Sequence, residues 1–387
     1  MSERALTDEE QAYVARCEAF AAEVIAPLHR RYDEENAFPA AIHEEAHRRG
    51  LLNAGLPREL GGQGLSFLAL ARGGRAMARE CAPTTFTLGF NHGSLRPVLF
   101  AGTLEQKRVF VKELVEARGY ASWCMTEKDV SGSNLMAIRT RADKSERGFI
   151  VTGDKCMTGN GAAASLFFVL ADAWDGRRRL GPTIFAVPKQ AGVEVGPNTD
   201  KLGFRCLTTT DVSFRDVEVE STHVIGAPGE GLPVLTDSLD FMRFGGGIVI
   251  LGLVEGALRD LVPWLSEREI YGGLRLVDDS HAQVTLGRLV AEAVSLEGLL
   301  ERVAVLLDEG RPVAKEASAL KLLGADLAQR ATAEAMQLYG WRGIDARYGA
   351  EKRFRDARQT SIYEGTSEIL AMNLFRGFLR ERRDASS

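Results

Sequence analysis

The sequence predicts an α+β fold in three parts: an N-terminal all-α domain, a middle antiparallel β domain and a C-terminal four-helix bundle. In the first and last thirds, apolar residues recur at three- and four-residue steps, which is typical of helices with one buried face. The middle third changes to near-strict alternation, as in residues 211–219, which is typical of strands. We therefore expect domains at residues 1–120, 121–235 and 236–387.

The first helix has a recognisable start and end. Thr7 and Glu10 have the spacing of a capping box, in which each side chain accepts a hydrogen bond from the other residue's backbone amide. Pro27, which lacks an N–H and disturbs the preceding turn, and the charged residues 33–36 are expected to weaken and end this helix. Further N-terminal helices are predicted at about 40–49, 66–81 and 104–117.

The middle and last thirds contain runs of different length. Short runs rich in Phe, Val and Ile, separated by Gly, Pro and Asn, predict strands at 165–170, 183–188, 192–195 and 211–219. Long amphipathic stretches with short connections predict the helices of the bundle at 240–267, 280–307, 313–338 and 366–381. Pro263 is expected to kink the first of these helices.

Composition narrows the class of protein. The 387 residues are 45% apolar and 26% charged, which is ordinary for a folded globular chain. The net charge of -5 gives no reason to expect a basic face that binds nucleic acid. The sequence contains no uncharged apolar stretch of about 18 residues, so we expect no membrane span. The five cysteines form no Cys-x-x-Cys pair, so we expect reduced thiols and a cytoplasmic location.

One motif near the start suggests a metal site. His43, Glu44 and His47 match the H-E-x-x-H pattern of zinc proteases, and they lie on a predicted helix. Asn53 stands where the longer form of the motif has a third histidine, and an amide is a poor zinc ligand. The alternative interpretation places both histidines on the polar side of a helix that Gly50 ends. We keep the zinc protease as a remote alternative and predict no metal.

Several later segments have residues suited to binding. Around Thr126 and Ser133, small hydroxyl residues and glycine allow the backbone to approach a planar polar ring or a phosphate. Arg268 with Tyr271 suits a diphosphate beside a stacked ring. Each segment alone is equally compatible with a polar loop or a surface arginine. The remaining segments of this kind are residues 201–205, 337–343 and 362–368.

Glu364 is the candidate for chemistry. It precedes Gly365 between two predicted helices, next to the apolar Ile362 and Tyr363. A carboxylate held on such a turn can be desolvated, which raises its pKa and makes it a competent general base. A solvated loop glutamate is the other interpretation of this residue taken alone.

Residues 363–368, read as Tyr-Glu-Gly-Thr-Ser-Glu, follow the other segments in an order that resembles the acyl-CoA dehydrogenase family over about residues 6–381. The resemblance implies an FAD-dependent α,β-dehydrogenation of an acyl thioester, carried by CoA or by an acyl carrier protein. Glu364 would take the α-proton, and flavin N5 would take the β-hydride, giving the trans-2-enoyl thioester. The Glu364 amide and a flavin ribityl hydroxyl would bind the thioester carbonyl. Relatives that carry the base on the helix after the β domain would have it near Met242, which cannot serve.

The resemblance also implies binding roles. FAD would be contacted within its own chain by Thr126, Ser133 and Thr366. The acyl carrier arm would lie near Ser133, Asp240 and Arg243. A neighbouring subunit's FAD would be reached by Arg268, Tyr271, Gln337 and Gly340. These last contacts require at least a dimer, and we expect a homotetramer.

Departures from the family pattern leave the electron acceptor open. Met157 stands where a tryptophan usually shields the flavin, Gly159 replaces a common hydroxyl residue, and the loop from Thr126 to Ser133 is one residue longer than usual. An electron-transferring flavoprotein is therefore one acceptor, and oxygen, in an acyl-thioester oxidase, is the alternative. A nitroalkane-oxidising relative would carry Asp at the position of Glu364. A catalytically silent scaffold is disfavoured because Glu364 and Arg268 are both present.

Overall fold

The computed structural model describes residues 5–384, in which helices precede and follow a central sheet. Helices fill the first part of the described chain. They are α1 (Asp8–Phe20), α2 (Ala26–Glu34), α3 (Ala40–Arg48), α4 (Phe67–Glu80), α5 (Ala82–Ser94), α6 (Arg96–Ala101), α7 (Leu104–Lys107) and α8 (Glu113–Glu116). Five-residue π-helical turns join α1 to α2 and α7 to α8, at Ala21–Ile25 and Arg108–Lys112.

The first helical stretch begins and ends as predicted. The capping box at its start is confirmed, with the Glu10 amide donating to Thr7 Oγ1 at 3.3 Å and the Thr7 amide donating to Glu10 Oε2 at 2.9 Å. The end within residues 33–36 is also confirmed, since the helical path is interrupted before Pro27 and stops at Glu34. The π-helical turn just before Pro27 widens the backbone where a regular turn would clash with the proline ring.

A sheet forms the middle of the chain. Its strands are β1 (Ala121–Cys124), β2 (Arg141–Lys144), β3 (Gly148–Gly159), β4 (Leu166–Asp175), β5 (Arg178–Pro188), β6 (Val193–Asn198), β7 (Thr209–Glu220) and β8 (Val224–Ile225). The strand order is β6-β7-β3-β2-β4-β5-β8, and β1 pairs with β4 beside β2.

The antiparallel prediction holds for most of this sheet and is wrong for two short strands. Both β1 and β2 pair with β4 in parallel, at opposite ends of the same edge. The chain leaves this edge after Cys124, makes a loop and returns at Arg141 in the same direction. The parallel pairing therefore results from the loop, which interrupts what would otherwise be one continuous edge strand.

Burial on both faces explains the apolar run in β4. One face, with Phe167 and Val169, packs in the core between the strands. The other face, with Phe168 and Leu170, packs against N-terminal helices and the start of the next long helix. A strand buried on both faces reads as a continuous apolar run instead of an alternating one. The sheet is thus held tightly against the helical parts of the protein.

The C-terminal helices form the bundle. They are α9 (Gly231–Glu267), α10 (Ser280–Asp308), α11 (Ala314–Tyr339), α12 (Trp341–Ile344), α13 (Ala350–Gln359) and α14 (Ser367–Asp384). The central helix α9 starts earlier than predicted, where Gly231 lies against the backbone of β5. It also continues through Pro263 to Glu267, so the proline does not end it.

Helix α9 lies at the centre of the molecule. Within the described residues, it is the one helix long and apolar enough to cross a membrane by length and composition, but 78% of its most apolar window is buried inside the protein. At Gly252, an added Cβ would lie 2.4 Å from the Cβ of Ala78, so α4 and α9 approach very closely. The apolar character of α9 is therefore explained by its position in the core.

Candidate active site

Glu364 lies in a strained turn between α13 and α14. Its φ angle is 55° and that of Gly365 is 97°, so two successive residues have left-handed backbone. A glutamate in this region is uncommon and persists only where surrounding contacts impose it. The conformation thus points to specific contacts that hold the turn.

Two buried cations from different helices hold this turn. Arg243 of α9 donates from Nε to the Glu364 carbonyl at 3.1 Å, and Lys321 of α11 donates from Nζ to the Gly365 carbonyl at 2.7 Å. Arg243 is itself fixed by an ion pair with Asp240, at 2.6 Å. Arg243 is 8% exposed and Lys321 is fully buried. We call Arg243 and Lys321 the cation clamp.

The carboxyl group of Glu364 is desolvated although its backbone is partly exposed. Oε2 is buried and has no hydrogen-bond partner among the described residues. It would lie 2.7 Å from a Cβ added to Gly246, so the absence of a side chain there makes room for the carboxylate. Burial raises the pKa of Glu364, and the positive charges of Lys321 and Arg243 oppose this rise. The result is a carboxyl group with the protonation behaviour of a general base near neutral pH.

An apolar cavity lies in front of this carboxyl group. Its volume is about 140 Å³, and Glu364 is the carboxylate in its lining. Leu, Met, Ile, Val and aromatic side chains of α4, α5 and α9 form most of the wall. A dry cavity with a desolvated carboxylate at one side is suited to proton abstraction from a carbon atom.

The predicted segment at Thr126 and Ser133 forms a loop beside the sheet. Thr126 is half-buried and its Oγ1 would lie 3.7 Å from a Cβ on Gly132, while Ser133 is exposed. The base of this loop is held by Glu127, which accepts hydrogen bonds from the Thr140 amide and hydroxyl and pairs with buried Lys155 at 2.8 Å. The loop therefore has a rigid base and an exposed tip.

Met157, at the position where family members usually have a tryptophan that shields the flavin, lies near the end of β3. Met157 has a left-handed φ of 55° and is 51% exposed. A Cβ added to Gly159 would lie 2.6 Å from Cζ of Phe90, a residue of the cavity wall. The glycine thus allows β3 to lie directly against the cavity.

A second group of predicted residues lies at the other end of α9. Trp264 joins the two segments involved: its Nε1 donates to the Leu338 carbonyl at 2.9 Å, and the Arg268 guanidinium lies 5.4 Å from its ring centroid. Near this tryptophan lie exposed residues of both segments, namely Arg268, Tyr271, Gln337 and Gly340. On α9 the path from Arg243 to Arg268 is 25 residues, or roughly 37 Å. The structure therefore brings these four residues together but keeps them far from the Glu364 of the same chain.

Thr366 starts the last helix. Its Oγ1 accepts a hydrogen bond from the Ile369 amide at 3.4 Å, and Glu368 lies in the first turn. The Thr366 side chain therefore caps α14, directly after the turn that carries Glu364.

The predicted position of His43 on the polar side of its helix is wrong. His43 is 2% exposed, with Nδ1 at 3.1 Å from the Tyr120 hydroxyl and Nε2 at 3.3 Å from Thr87 Oγ1. The Thr87 hydroxyl donates to Asn160 at 2.7 Å, so His43 Nε2 is the donor to Thr87 and Nδ1 the acceptor from Tyr120. Both ring nitrogens thus serve the packing of α3 against α5. In the part of the chain that the structure describes, no three metal-ligating side chains converge.

Sequence reasoning missed both Lys321 and Gly246. The lysine lies within an ordinary amphipathic run of α11, and its target carbonyl is 44 residues away in the chain. The glycine is one of three in succession in α9, and helix-weakening glycines in a long helix are a signal of close approach. The three glycines thus signalled a close approach to α9, but the sequence did not indicate that the approaching group is the Glu364 carboxylate.

Comparisons with known proteins agree with this architecture. The family models described as the N-terminal, middle and C-terminal domains of acyl-CoA dehydrogenase match residues 7–118, 122–217 and 229–379. The human mitochondrial short-chain specific acyl-CoA dehydrogenase is 31% identical over 383 residues, covering 98% of this chain and 92% of that protein. This chain belongs to the acyl-CoA dehydrogenase family. It is therefore an oxidoreductase of a flavoprotein family that acts on CH–CH groups.

Solved structures show the same fold. Butyryl-CoA dehydrogenase from Megasphaera elsdenii has a TM-score of 0.92 and 27% identity, with 97% of this chain and 100% of that chain covered. A glutaryl-CoA dehydrogenase from Mycobacterium smegmatis in complex with FADH2 has a TM-score of 0.88 and 22% identity, with 97% and 96% covered. The arrangement of helices, sheet and helices is thus that of the family.

Proposed function

We propose that the protein catalyses FAD-dependent α,β-dehydrogenation of an acyl thioester to the trans-2-enoyl thioester, with Glu364 as the base. The observation that carries the proposal is the buried, unpartnered Oε2 of Glu364 at the wall of an apolar cavity. An ionised carboxylate in such a place is costly unless the site uses it.

The turn supplies both the base and a hydrogen-bond donor. The Glu364 N–H makes no hydrogen bond within residues 5–384, so it is free to bind the thioester carbonyl. A donor at that oxygen stabilises the enolate that forms as the α-proton leaves, which an isolated carboxylate could not achieve. A bound FAD would accept the β-hydrogen as hydride and carry the two electrons away. The cation clamp keeps the amide and the carboxylate in a fixed relation to each other.

Buried polar atoms without partners support the binding of a flavin. They occur in or next to strands β1 and β7 and next to the Glu364 turn, and such atoms are costly unless a ligand binds them. They are Trp123 Nε1, Thr208 Oγ1, Thr210 Oγ1, Tyr363 OH and Ser367 Oγ. Thr126, Ser133 and Thr366 would complete the binding of FAD by its own chain.

The substrate carrier would be CoA or an acyl carrier protein. Asp240 and Arg243 lie on α9 beside the Glu364 turn, which is where the thioester would enter. They pair with each other, and Arg243 also donates to the Glu364 carbonyl and to Ser318 Oγ, so any contact with the carrier arm adds to a structural role.

The assembly would be a homotetramer, or at least a dimer, in the cytoplasm. Arg268 and Tyr271 follow the end of α9, and Gln337 and Gly340 lie at the end of α11. All four are too far from the Glu364 of their own chain to reach its site, and a neighbouring subunit's FAD is the partner we infer for them. All five cysteines are unpaired and buried in the described chain, which suits a reducing compartment.

Oxygen is the alternative electron acceptor to an electron-transferring flavoprotein. The observation that favours it is the exposed, flexible Met157 in place of a rigid aromatic shield. Peroxide formed in air, with acyl thioester and no other acceptor, would identify an oxidase. Reduced flavin that persists in air until an electron-transferring flavoprotein is added would identify a dehydrogenase.

The first testable prediction concerns Glu364 itself. In the Glu364→Gln variant the amide keeps the shape of the side chain but cannot accept the proton, so flavin bleaching by acyl thioesters should slow by roughly 1,000-fold or more. Anaerobic stopped-flow absorbance measures this rate, and the ratio of flavin to protein absorbance verifies that FAD remains bound. Bleaching at the wild-type rate in this variant would exclude Glu364 as the base.

A further inference from the structure

The wall of the cavity indicates what kind of acyl group enters it. At Gly89 of α5 and Gly245 of α9, an added Cβ would meet no atom within 4 Å, so backbone and open space form the wall there. The volume of the cavity is about 140 Å³. An apolar protein cavity of about 150 Å³ holds one benzene molecule. A compact acyl group with about six heavy atoms beyond the thioester fits this space, and a long straight chain does not.

Besides Glu364, the cavity wall contains polar side chains without a hydrogen bond. One of them is His92, whose contacts in the described chain are with aromatic rings and whose ring nitrogens make no hydrogen bond there. The two hydroxyl groups in the lining already have partners. Thr85 donates to the Cys81 carbonyl at 3.0 Å, and Tyr13 interacts with Cys17. An unpaired imidazole at an apolar wall is costly unless a ligand uses it.

The position and the charge of this imidazole are both fixed. Its ring stacks on Phe67 with centroids 5.8 Å apart, and it lies 4.9 Å from the Phe241 centroid. Burial lowers the pKa of His92 to about 4, with a further contribution from Arg96. At neutral pH the ring is therefore uncharged and presents one donor and one acceptor. An uncharged ring offers no positive charge to offset that of a carboxylate in an apolar cavity, so it suits a neutral polar group.

We propose that the acyl group is compact and carries a neutral hydrogen-bonding atom, a hydroxyl, carbonyl or amide, which His92 binds. This inference rests on the proposed function, since it assumes that an acyl group occupies the cavity. It makes His92 a residue that determines specificity and gives it no part in proton transfer.

Isosteric pairs of acyl-CoA provide the test. In one pair, 4-oxopentanoyl-CoA differs from 4-methylpentanoyl-CoA by an oxygen in place of a methyl group; in another, 5-hydroxypentanoyl-CoA differs from hexanoyl-CoA in the same way. Calorimetric titration of Glu364→Gln holoenzyme measures affinity without turnover. We expect the polar member of at least one pair to bind about 10-fold or more tightly, and octanoyl-CoA to bind more weakly than either. Where CoA esters do not bind, the same pairs are loaded on an acyl carrier protein.

Variants of the cavity wall locate the preference. His92→Phe keeps a flat ring between Phe67 and Phe241 and should remove the polar preference, whereas His92→Gln should retain part of it. Leu70→Met, which changes the wall without changing polarity, serves as the matched control. Loss of the preference in Asn53→Leu but not in His92→Phe would overturn the assignment, because Asn53 is a second neutral polar side chain of the lining without a hydrogen bond in the described chain. Equal affinities within every pair would overturn it as well. Acyl esters that bind with the expected preference but never reduce the wild-type flavin would contradict the proposed function alone.

Discussion

Charges within the cation clamp should set the pH at which Glu364 can act. The base must be ionised to take a proton, so flavin reduction should accelerate as the pH rises through the raised pKa of Glu364. Lys321 opposes this rise, since its positive charge favours the carboxylate. The same lysine binds the Gly365 carbonyl at 2.7 Å and so has a positional role too. Its electrostatic and positional roles can be separated.

Two substitutions of Lys321 separate these roles. Lys321→Gln keeps a donor and loses the charge, so the pH profile of flavin reduction should move to higher pH with little loss at its plateau. Lys321→Met loses both, so the plateau rate should also fall, by about 10-fold or more. Anaerobic stopped-flow reduction between about pH 6 and 9 records both quantities. An unchanged profile in both variants would show that Lys321 does not influence the base.

At the scale of one helix, α9 should not tolerate a methyl group at Gly246. In Gly246→Ala, the new Cβ would lie 2.7 Å from Glu364 Oε2 and must displace the carboxylate. We expect the rate of flavin reduction to fall about 100-fold with FAD still bound, because small displacements of a base are costly. The measurement is the same anaerobic reduction, with FAD content determined by absorbance.

A glycine of α10 is the matched control. In Gly298→Ala, the added Cβ meets no atom within 4 Å, so activity should be unchanged and stability should rise by roughly 0.5–1 kcal/mol. Equal loss of activity in both variants would mean that the effect is general and not specific to the contact with Glu364.

The loop that carries Thr126 and Ser133 should depend on the ion pair at its base. Lys155→Met leaves the Glu127 carboxylate buried without its charge partner, which should cost about 3–5 kcal/mol. The double change Glu127→Gln with Lys155→Met should cost less, because no unpaired charge remains. Urea unfolding, together with FAD content after gel filtration, measures both effects. A double variant less stable than the single one would contradict this account.

Sequence patterns predicted the elements in which apolar residues recur with a clear period and missed the elements without such a period. The long helices α10 and α11 appear where apolar spacing predicted them. Helix α5 was missed because its run of Thr, Gly and Phe has weak helix propensity, and tertiary burial stabilises it instead. Strands β1 and β2 were missed because they are short and pair in parallel around a loop.

The candidate site was predictable only in part for a similar reason. Glu364 was found because its immediate neighbours form a recognisable turn. The contacts that define its chemistry come from α9 and α11, and they depend on how three distant segments pack. Periodicity indicates which face of a helix is buried, but not which carbonyl a buried lysine reaches.

For the whole molecule, the distance along α9 predicts that sites are shared between subunits. The Arg268→Ala variant should lose FAD affinity in its neighbour's site, and Glu364→Gln should lose turnover in its own site. When the two inactive chains are co-expressed, mixed assemblies should contain some sites with both residues intact and recover roughly a quarter of wild-type activity.

Co-expression of chains that carry both substitutions is the control, since no intact site can then form. Activity is measured per protein chain after tandem-tag purification of the mixed assembly, and FAD content is measured separately. Mixed assemblies without activity, in the presence of bound FAD, would show that Arg268 does not serve a neighbouring site.

The left-handed backbone at Glu364 has a consequence for how the protein can change over generations. Glycine, asparagine and aspartate adopt this region readily, whereas valine or isoleucine there would be strained. Replacement by glycine would relieve the backbone and remove a desolvated charge, so the chain would fold at least as well without its reactive group. Natural selection on turnover, and not on folding, is then what preserves the glutamate, and chains freed from that selection can become inert without becoming unstable.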